Sequence, residues 1–569
     1  MHKKRIRDII FEKGIWVLPL SFSIAFALGL LKTSIRRFGS SIGTAASSHL
    51  TATELFHGLL ITVIPVLIVG VINAISKKYF GKTNFDPWYT DPAGISKDKR
   101  TAMEAPVARS YLSAKPNGFT VGKTAGRYVR IPNDPQNILH TLVVGSPGSW
   151  KSTTLLNPLI YNFQFAKPEE KMTVFAIDVK PELQRKSVAY DPTGEKVRVI
   201  NPSTCDPIYF GWDAYYGLSK DSTDDQVEER ADLIARSLIN CKEGSDNEIF
   251  YNTARNLMVA FLIYGFFSGK GFLDSMLQLM SMPMKDLIAE ILTDKKMIQQ
   301  HPKLRLILQS YDAAGDKNEM LKDAENTMHE KLRIFGIRSV QYMLRDNPKK
   351  ASPKDLTNNI SIFLSLPDHL LKQYAPLFNM MTQQTLNYLG SIPEWERADR
   401  DVPLIWILID EFGSIGHMDI EGALARLRSR KVCIWLCCQG LSQLDDTYGQ
   451  NGRRSIVTDC EATLIFSSKD DVANKFFSEI SGQYQETKIS KQRNGWSGIS
   501  SISQNISTEF RPVFDMSDFV KLRKDHKLIG FVDGSHFYID KCPYFRIKPF
   551  LEASEAVKKK NDQLMGGED

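Results

Sequence analysis

Seven short apolar runs, each bounded by turn-forming residues, constrain this chain more than any other feature. They are TLVV (141–144), TVFAID (173–178), VRVI (197–200), SIFLSL (361–366), LIWILID (404–410), VCIWLCC (432–438) and ATLIF (462–466). A strand with one face in water alternates apolar and polar residues, whereas a strand apolar almost throughout is covered on both faces. Recurring between helix-length segments, such runs predict an α/β core with a mostly parallel sheet wrapped by helices. A composition of 43% hydrophobic and 24% charged residues excludes a mainly disordered, collagen-like or coiled-coil chain. The length of 569 residues predicts about three or four domains.

Residues 1–80 are a different material. Residues 14–31 (GIWVLPLSFSIAFALGLL) and 55–75 (LFHGLLITVIPVLIVGVINAI) contain no Lys, Arg, Asp or Glu. As helices they are about 27 and 31 Å long, enough to cross a bilayer. Pro19 and Pro65 are tolerable in spans that pack against a neighbour. A buried core helix is the bland alternative, but both runs lack a polar face. Lys3, Lys4, Arg5, Arg7 and Lys13 precede the first run and Lys77, Lys78 and Lys82 follow the second, against Lys32, Arg36 and Arg37 between them. That bias predicts a transmembrane hairpin with both ends, and the bulk of the chain, in the cytoplasm. If the first run were a signal peptide cleaved near Thr44-Ala45-Ala46, the second would still deliver the remainder to the cytoplasm. Seven cysteines in this length form no disulfide framework, and without a CxxC pair or Cys/His ladder no structural zinc is expected. A net charge of +7 permits a nucleic-acid or membrane-surface partner without demanding one.

Residues 81–140 read as a juxtamembrane segment in which GFTVGK and GRYVRI form a small hairpin. The core falls into two parts, 141–265 and 356–552, separated by an all-α insertion at 266–355. Ahead of it, Val227, Ala231, Ile234 and Leu238 make an amphipathic helical stripe. Near the end, LIGFV, Asp533-Gly534 and SHFYI predict a hairpin, because Asp-Gly supplies the positive φ of a type I′ turn. The polar, Gly/Ser-rich stretch 490–508 reads as a mobile loop and 553–569 as a C-terminal tail.

The first apolar run leads into Gly145, Ser146, Pro147, Gly148, Ser149, Trp150, Lys151, Ser152 and Thr153, and then an apolar helix. Strand, glycine-bearing loop and helix are the context of a P-loop (GxxxxGK[ST]), whose N–H groups wrap a phosphate at a helix N-terminus. A chance Gly-rich turn is the alternative. Lys151 is placed to reach the β- and γ-phosphates of ATP, and Ser152 to hold Mg2+. The pattern has Gly at position 150, where this chain has Trp. An indole there either points away at a cost in strain or occupies phosphate space, so impaired nucleotide binding is expected; a shifted loop in which Gly148 supplies the flexibility and the site still works is the alternative. LIWILID ends in Asp410-Glu411, where a Walker B motif has its acids: Asp410 for Mg2+, Glu411 to orient and polarise the attacking water. Gln439, at the tip of the next run, stands where RecA-like ATPases carry a γ-phosphate sensor; an ordinary turn residue is the alternative. In ALARLRSRK (423–431), Arg428 and Arg430, ahead of Arg426, are candidates for an arginine finger reaching a neighbouring subunit, against a plain solvated basic face.

With these motifs in this order, the chain resembles the type IV secretion coupling proteins, the TraG/TraD-like conjugation ATPases, over most of its length. DVKPEL (178–183) is similar to that family's D-x-K-x-E stretch, and FYNTARNLMVAFLIY (250–264) to its helix leading into the all-α domain. LIDEFGSIG (408–416) is similar to its Walker B extension, and RPVFDMSDFVKLRKDHKLIGFVDG (511–534) to its terminal helix and hairpin. The resemblance implies a RecA-like P-loop NTPase core with an inserted all-α domain and a two-helix transmembrane anchor in the bacterial inner membrane. It implies a homohexamer that uses ATP and Mg2+, receives the relaxase–DNA complex, and passes single-stranded DNA to the proteins of the secretion channel. Basic side chains lining its pore would hold phosphates without reading sequence. Two rivals remain: a non-hydrolysing membrane receptor or scaffold of the same machinery, which Trp150 suggests, and a septal chromosomal DNA translocase. The latter class usually carries more spans and a C-terminal winged helix, which is not expected here.

Overall fold

The computed structural model describes residues 111–132, 138–240, 248–312, 319–397, 402–494, 501–532 and 534–566. Both expected membrane spans lie outside them; among the described residues no helix is long and apolar enough to cross a membrane.

The strands, in chain order, are β1 (Leu112–Ser113), β2 (Phe119–Thr124), β3 (Arg127–Ile131), β4 (Thr141–Gly145), β5 (Thr173–Val179), β6 (Val197–Ile200), β7 (Gly211–Trp212), β8 (Lys350–Ala351), β9 (Ser361–Leu366), β10 (Ile405–Ile409), β11 (Val432–Cys438), β12 (Ala462–Ser467), β13 (Gln483–Asn494), β14 (Ser501–Pro512), β15 (Lys527–Val532) and β16 (Ser535–Asp540). Twelve of them form one sheet in the order β1-β3-β2-β16-β15-β12-β4-β11-β10-β5-β9-β6. Each of the seven apolar runs supplies one strand from β12 to β6, and these pair in parallel throughout.

Continuous apolarity follows from that position. Successive side chains of a strand point to opposite faces, and here both faces are cores. Val144, Ile177, Ile407 and Leu436 feed one, while Val143, Ala176, Leu408 and Trp435 feed the other. Helices Asp224–Leu238, Glu248–Phe267 and Leu371–Ser391 cover the first. The stripe Val227, Ala231, Ile234 and Leu238 is buried there, on a helix that opens with a Thr223/Gln226 capping box. Helix Lys151–Ile160 covers the second core. Phe119 of β2 closes it, edge-on to Trp406 at 4.8 Å and stacked on Trp435 at 5.0 Å. Between β7 and β8 the described chain is helical, as the insertion requires.

Two expectations are corrected. The stretch 490–508 was expected to be a loop, but it carries parts of both arms of a hairpin: β13 pairs antiparallel with β14 from Gln483↔Pro512 to Asn494↔Ser501. Its polar composition shows no apolar alternation, and ladder hydrogen bonds satisfy the backbone whatever the side chains are. Residues from 553 are not a tail but continue the helix Lys548–Leu564, which buries Phe550, Val557 and Asn561. Asn561 Oδ1 accepts the Tyr190 N–H at 2.8 Å, and its Nδ2 donates to the Arg185 carbonyl at 3.0 Å. The expected terminal hairpin forms as β15 and β16, with Gly534 at φ +70°.

Candidate nucleotide-binding site

Parallel strands deliver their C-terminal ends to one edge of a sheet, which is where open α/β folds bind ligands. Here Gly145 ends β4, Asp178 nears the end of β5, Asp410 follows β10, Gln439 follows β11 and Ser467 ends β12. Register sets Ile409 beside both Ile177 and Leu436, Cys438 beside Val144, and Ser467 beside Gly145. Because β11 lies between the P-loop strand and the Walker B strand, Gln439 falls between their two tips.

The glycine-bearing loop is built on short backbone bonds. Ser146 N–H donates to the Ser467 carbonyl at 2.9 Å, and Ser149 N–H to the Ser146 carbonyl at 3.2 Å. A Cβ on Gly145 would stand 2.7 Å from Ser149 Oγ and 3.2 Å from Phe466 Cβ, so a side chain there would have to displace the Ser149 hydroxyl. Trp150 caps helix Lys151–Ile160 with φ 71° and ψ 21°, the left-handed conformation that makes glycine the usual occupant. Its indole stacks on His526 at 5.0 Å, meets Phe545 edge-on at 5.8 Å, and lies under Arg546 at 5.0 Å. All three partners come from the C-terminal part of the chain. Thr153 Oγ1 donates to the Trp150 carbonyl at 3.0 Å, and Ser152 sits half-buried in the same first turn.

Lys151 is 7% exposed, with Nζ 3.8 Å from Asp410 Oδ1 and 3.7 Å from Glu411 Oε1. Burial works to lower its pKa, but the nearby acids, Asp410 foremost, leave it raised. Burial pushes the Asp410 carboxyl up to about 6 against the pull of Lys151. Lys151 Nζ, Asp410 Oδ1 and Ser149 Oγ are all buried without a hydrogen-bond partner. Unsatisfied groups are costly in a folded protein, and these three gather at the start of helix Lys151–Ile160. Glu411 also adopts a left-handed conformation, φ 59°, and its Oε2 accepts a hydrogen bond from Gln439 Nε2 at 3.0 Å.

Asp178 was legible only as part of a stretch like the family's; its job was not. It is wholly buried, and burial pushes its pKa up to about 7. Its Oδ1 accepts the Glu182 N–H at 3.1 Å and its Oδ2 the Gln184 N–H at 2.8 Å, so it holds the turn after β5 beside Asp410. Arg428 and Arg430 are not brought into the site. They precede β11, whose seven residues put them about 20 Å from Gln439. Arg428 donates to Glu461, which also accepts the His140 N–H. Arg430 donates to the carbonyls of Ile392 and Arg426, each at 2.8 Å.

The residues present fit a magnesium nucleotide. A buried lysine and carboxylate with unsatisfied atoms face a helix start, and the hydroxyl of Ser152 lies in its first turn. Among the described residues no group of three or more His, Cys, Asp or Glu side chains could hold a metal. Mg2+ bound with phosphates needs only one or two carboxylates beside water and phosphate oxygens.

A family profile described as Type IV secretory system Conjugative DNA transfer matches residues 93–566. The type IV secretion system-coupling protein VirD4 of Bartonella henselae is 25% identical over 324 residues, 55% of this chain and 49% of that protein. VirD4 of Bartonella quintana is 22% identical over 321 residues, 55% and 48% respectively. The chain thus spans about half the length of these curated relatives. Among solved structures, the bacterial conjugative coupling protein TrwBdeltaN70 aligns with a TM-score of 0.57 at 16% identity, over 77% of this chain and 90% of that one. The plasmid coupling protein TrwB in complex with ADP and Mg2+ aligns at 0.54 and 16%, over 77% and 91%. At that identity the likeness is one of fold. Because the profile covers most of the chain, and the Walker residues meet at one sheet edge, the chain belongs to the type IV secretion system coupling protein family of conjugative DNA transfer.

Proposed function

We propose that this protein is an inner-membrane-anchored P-loop ATPase that passes single-stranded DNA, received as a relaxase complex, into a type IV secretion channel. The observation that carries the reading is the buried Lys151–Asp410 pair, whose Nζ and Oδ1 lack hydrogen-bond partners at the mouth of the glycine-bearing loop. Backbone N–H groups of the loop and Lys151 Nζ bind the phosphate chain of ATP. Ser152 and Asp410 would hold Mg2+, which would supply positive charge to offset that of the phosphates. Glu411 takes a proton from the attacking water, and the Gln439 hydrogen bond fixes which carboxylate oxygen is free to do so. In a homohexamer each site lies near a subunit boundary, and Arg428, half-exposed at the far end of β11, is the better candidate to act on a neighbour's nucleotide. Arg430, already spent on backbone carbonyls, is the poorer one.

The test is ATP turnover by the full chain in lipid nanodiscs, with and without single-stranded DNA. Turnover that DNA of any sequence stimulates, and that weakens steeply with salt, supports the proposal. Binding of ATP and DNA without turnover would favour the receptor reading. Absence of nucleotide binding would sink the ATPase assignment.

A further inference from the structure

The turn Leu522–Lys527 touches the glycine-bearing loop at two neighbouring points. His526 stacks on Trp150. Arg523 reaches Gly148, where its Nη2 lies 3.3 Å from the position a Cβ would take. Gly148 has φ +71° and is exposed, so the approach uses a backbone surface that only glycine offers without strain. The turn is held firmly. Leu522 is buried, its carbonyl accepts the Lys527 N–H at 3.1 Å, and Phe519 just before it accepts the Ser468 N–H at 3.2 Å. Lys541, itself buried, donates to the carbonyls of Phe466 at 2.6 Å and Leu522 at 3.3 Å.

Charge at this rim is unbalanced. Arg523 lies against Gly148 and Arg546 over Trp150, with the buried Lys541 behind the turn, and among the described residues neither arginine has a carboxylate within ion-pair reach. On the inner side, Ser149 Oγ and Lys151 Nζ are buried without hydrogen-bond partners. Cations held together without acids are stabilised by an anion, and a guanidinium donates two parallel hydrogen bonds to phosphate oxygens. We propose that Arg523 is a phosphate-contacting residue, supplied by the same chain, that closes over Gly148 onto the bound nucleotide. The proposal rests on the nucleotide-binding reading above and adds a residue from outside both Walker motifs.

The experiment is a fluorescence titration of the full chain with ATP, ADP and AMP in Mg2+, for the parent, Arg523→Ala and Arg523→Lys, with a thermal melt of each nucleotide-free protein. Arg523→Ala should weaken ATP by about tenfold or more, the effect of losing a charge-assisted contact. ADP should weaken less and AMP hardly at all; Arg523→Lys should recover part of the loss with an unchanged melt. Equal weakening of all three nucleotides, or a lowered melt that Lys does not restore, would reduce Arg523 to a structural role and overturn the proposal. Unchanged ATP affinity in Arg523→Ala would overturn it while leaving the nucleotide-binding reading intact. A parent that binds no nucleotide would overturn both.

Discussion

Trp150→Gly separates the two things an indole can do in this loop. Left-handed torsions cost an L-residue roughly 1–2 kcal/mol, which glycine recovers. The greater freedom of glycine in the unfolded chain takes back about 0.5–1 kcal/mol. Against this, the substitution removes the stack on His526 and the edge contact with Phe545, roughly 0.5–1.5 kcal/mol each. It also removes the Arg546 cation–π contact, about 0.5–1 kcal/mol at an exposed site. Contacts outweigh strain, and the variant should be less stable by about 1–2 kcal/mol. Nucleotide affinity follows a different logic. With φ 71° and ψ 21°, the backbone at position 150 already has glycine-like torsions, and the ring is engaged with the C-terminal segment. Of the two outcomes the sequence allowed, strain or obstruction, the geometry therefore favours strain. The expected result is an ATP affinity within about threefold of the parent, together with a lower melting temperature, read by calorimetric titration and thermal unfolding. A gain in affinity of tenfold or more, about 1.4 kcal/mol, would refute this and show that the indole obstructs the phosphates.

Glu411→Gln keeps the shape and the Gln439 contact but cannot take a proton; turnover should fall by about a hundredfold or more with nucleotide affinity within about threefold, measured by phosphate release beside binding. Asp410, pushed from 3.8 up to about 6 by burial, would on the proposed reading hold Mg2+ only when ionised, so Mg-dependent ATP affinity should fall as pH drops from 7 to 5. Asp410→Asn should remove that slope, and a slope that survives the substitution belongs to another group. Its sign in nucleotide-free stability is the reverse: burial disfavours the anion, so ionisation costs stability as pH rises from about 4 through about 6. Asn561→Ala leaves the Tyr190 N–H and Arg185 carbonyl unsatisfied and should cost about 2–3 kcal/mol by denaturant unfolding; an unchanged midpoint would mean that the terminal helix does not dock as described.

The parallel core was legible because burial on both faces leaves nowhere for polar residues, and that pattern needs no partner to be known. The glycine-bearing loop and the acids at 410 and 411 were legible as candidates because phosphate chemistry asks for set residue types beside a strand end and a helix start. What escaped depends on tertiary placement. The β13–β14 arms are polar, and their pairing lies in backbone bonds that composition does not record. Asp178 is silent in sequence because its role is to accept two N–H groups of its own turn, and any Asp near a strand end looks alike. Arg523 and His526 stand more than 370 residues after the loop they meet, so no local spacing could join them to it. Arg428 and Arg430 were read from charge and from their place just before β11 as reaching a neighbouring subunit; the direction of β11 puts them at the opposite end of the sheet from Gln439, which leaves that reading open.

That direction has a consequence for how a site like this can report its state. Lys151, Glu411 and Gln439 form one chain of contacts across the tips of β4, β10 and β11. Ser146 and Ser467 form a second, from the loop to β12. Ser468 and Lys541 extend the second to the helix Met516–Lys521 and the turn after it. The C-terminal hairpin is therefore joined to the glycine-bearing loop by hydrogen bonds between packed elements, while Arg428 and Arg430, at the base of β11, bond to Glu461 and to the carbonyls of Ile392 and Arg426. A buried hydrogen-bond network admits few intermediate arrangements, since each broken bond leaves an unsatisfied group. Displacement of the loop must then either carry the C-terminal turn with it or break the Ser146–Ser467 bond. The first alternative preserves every bond named here, which ties the C-terminal turn, rather than the basic end of β11, to any movement of the loop.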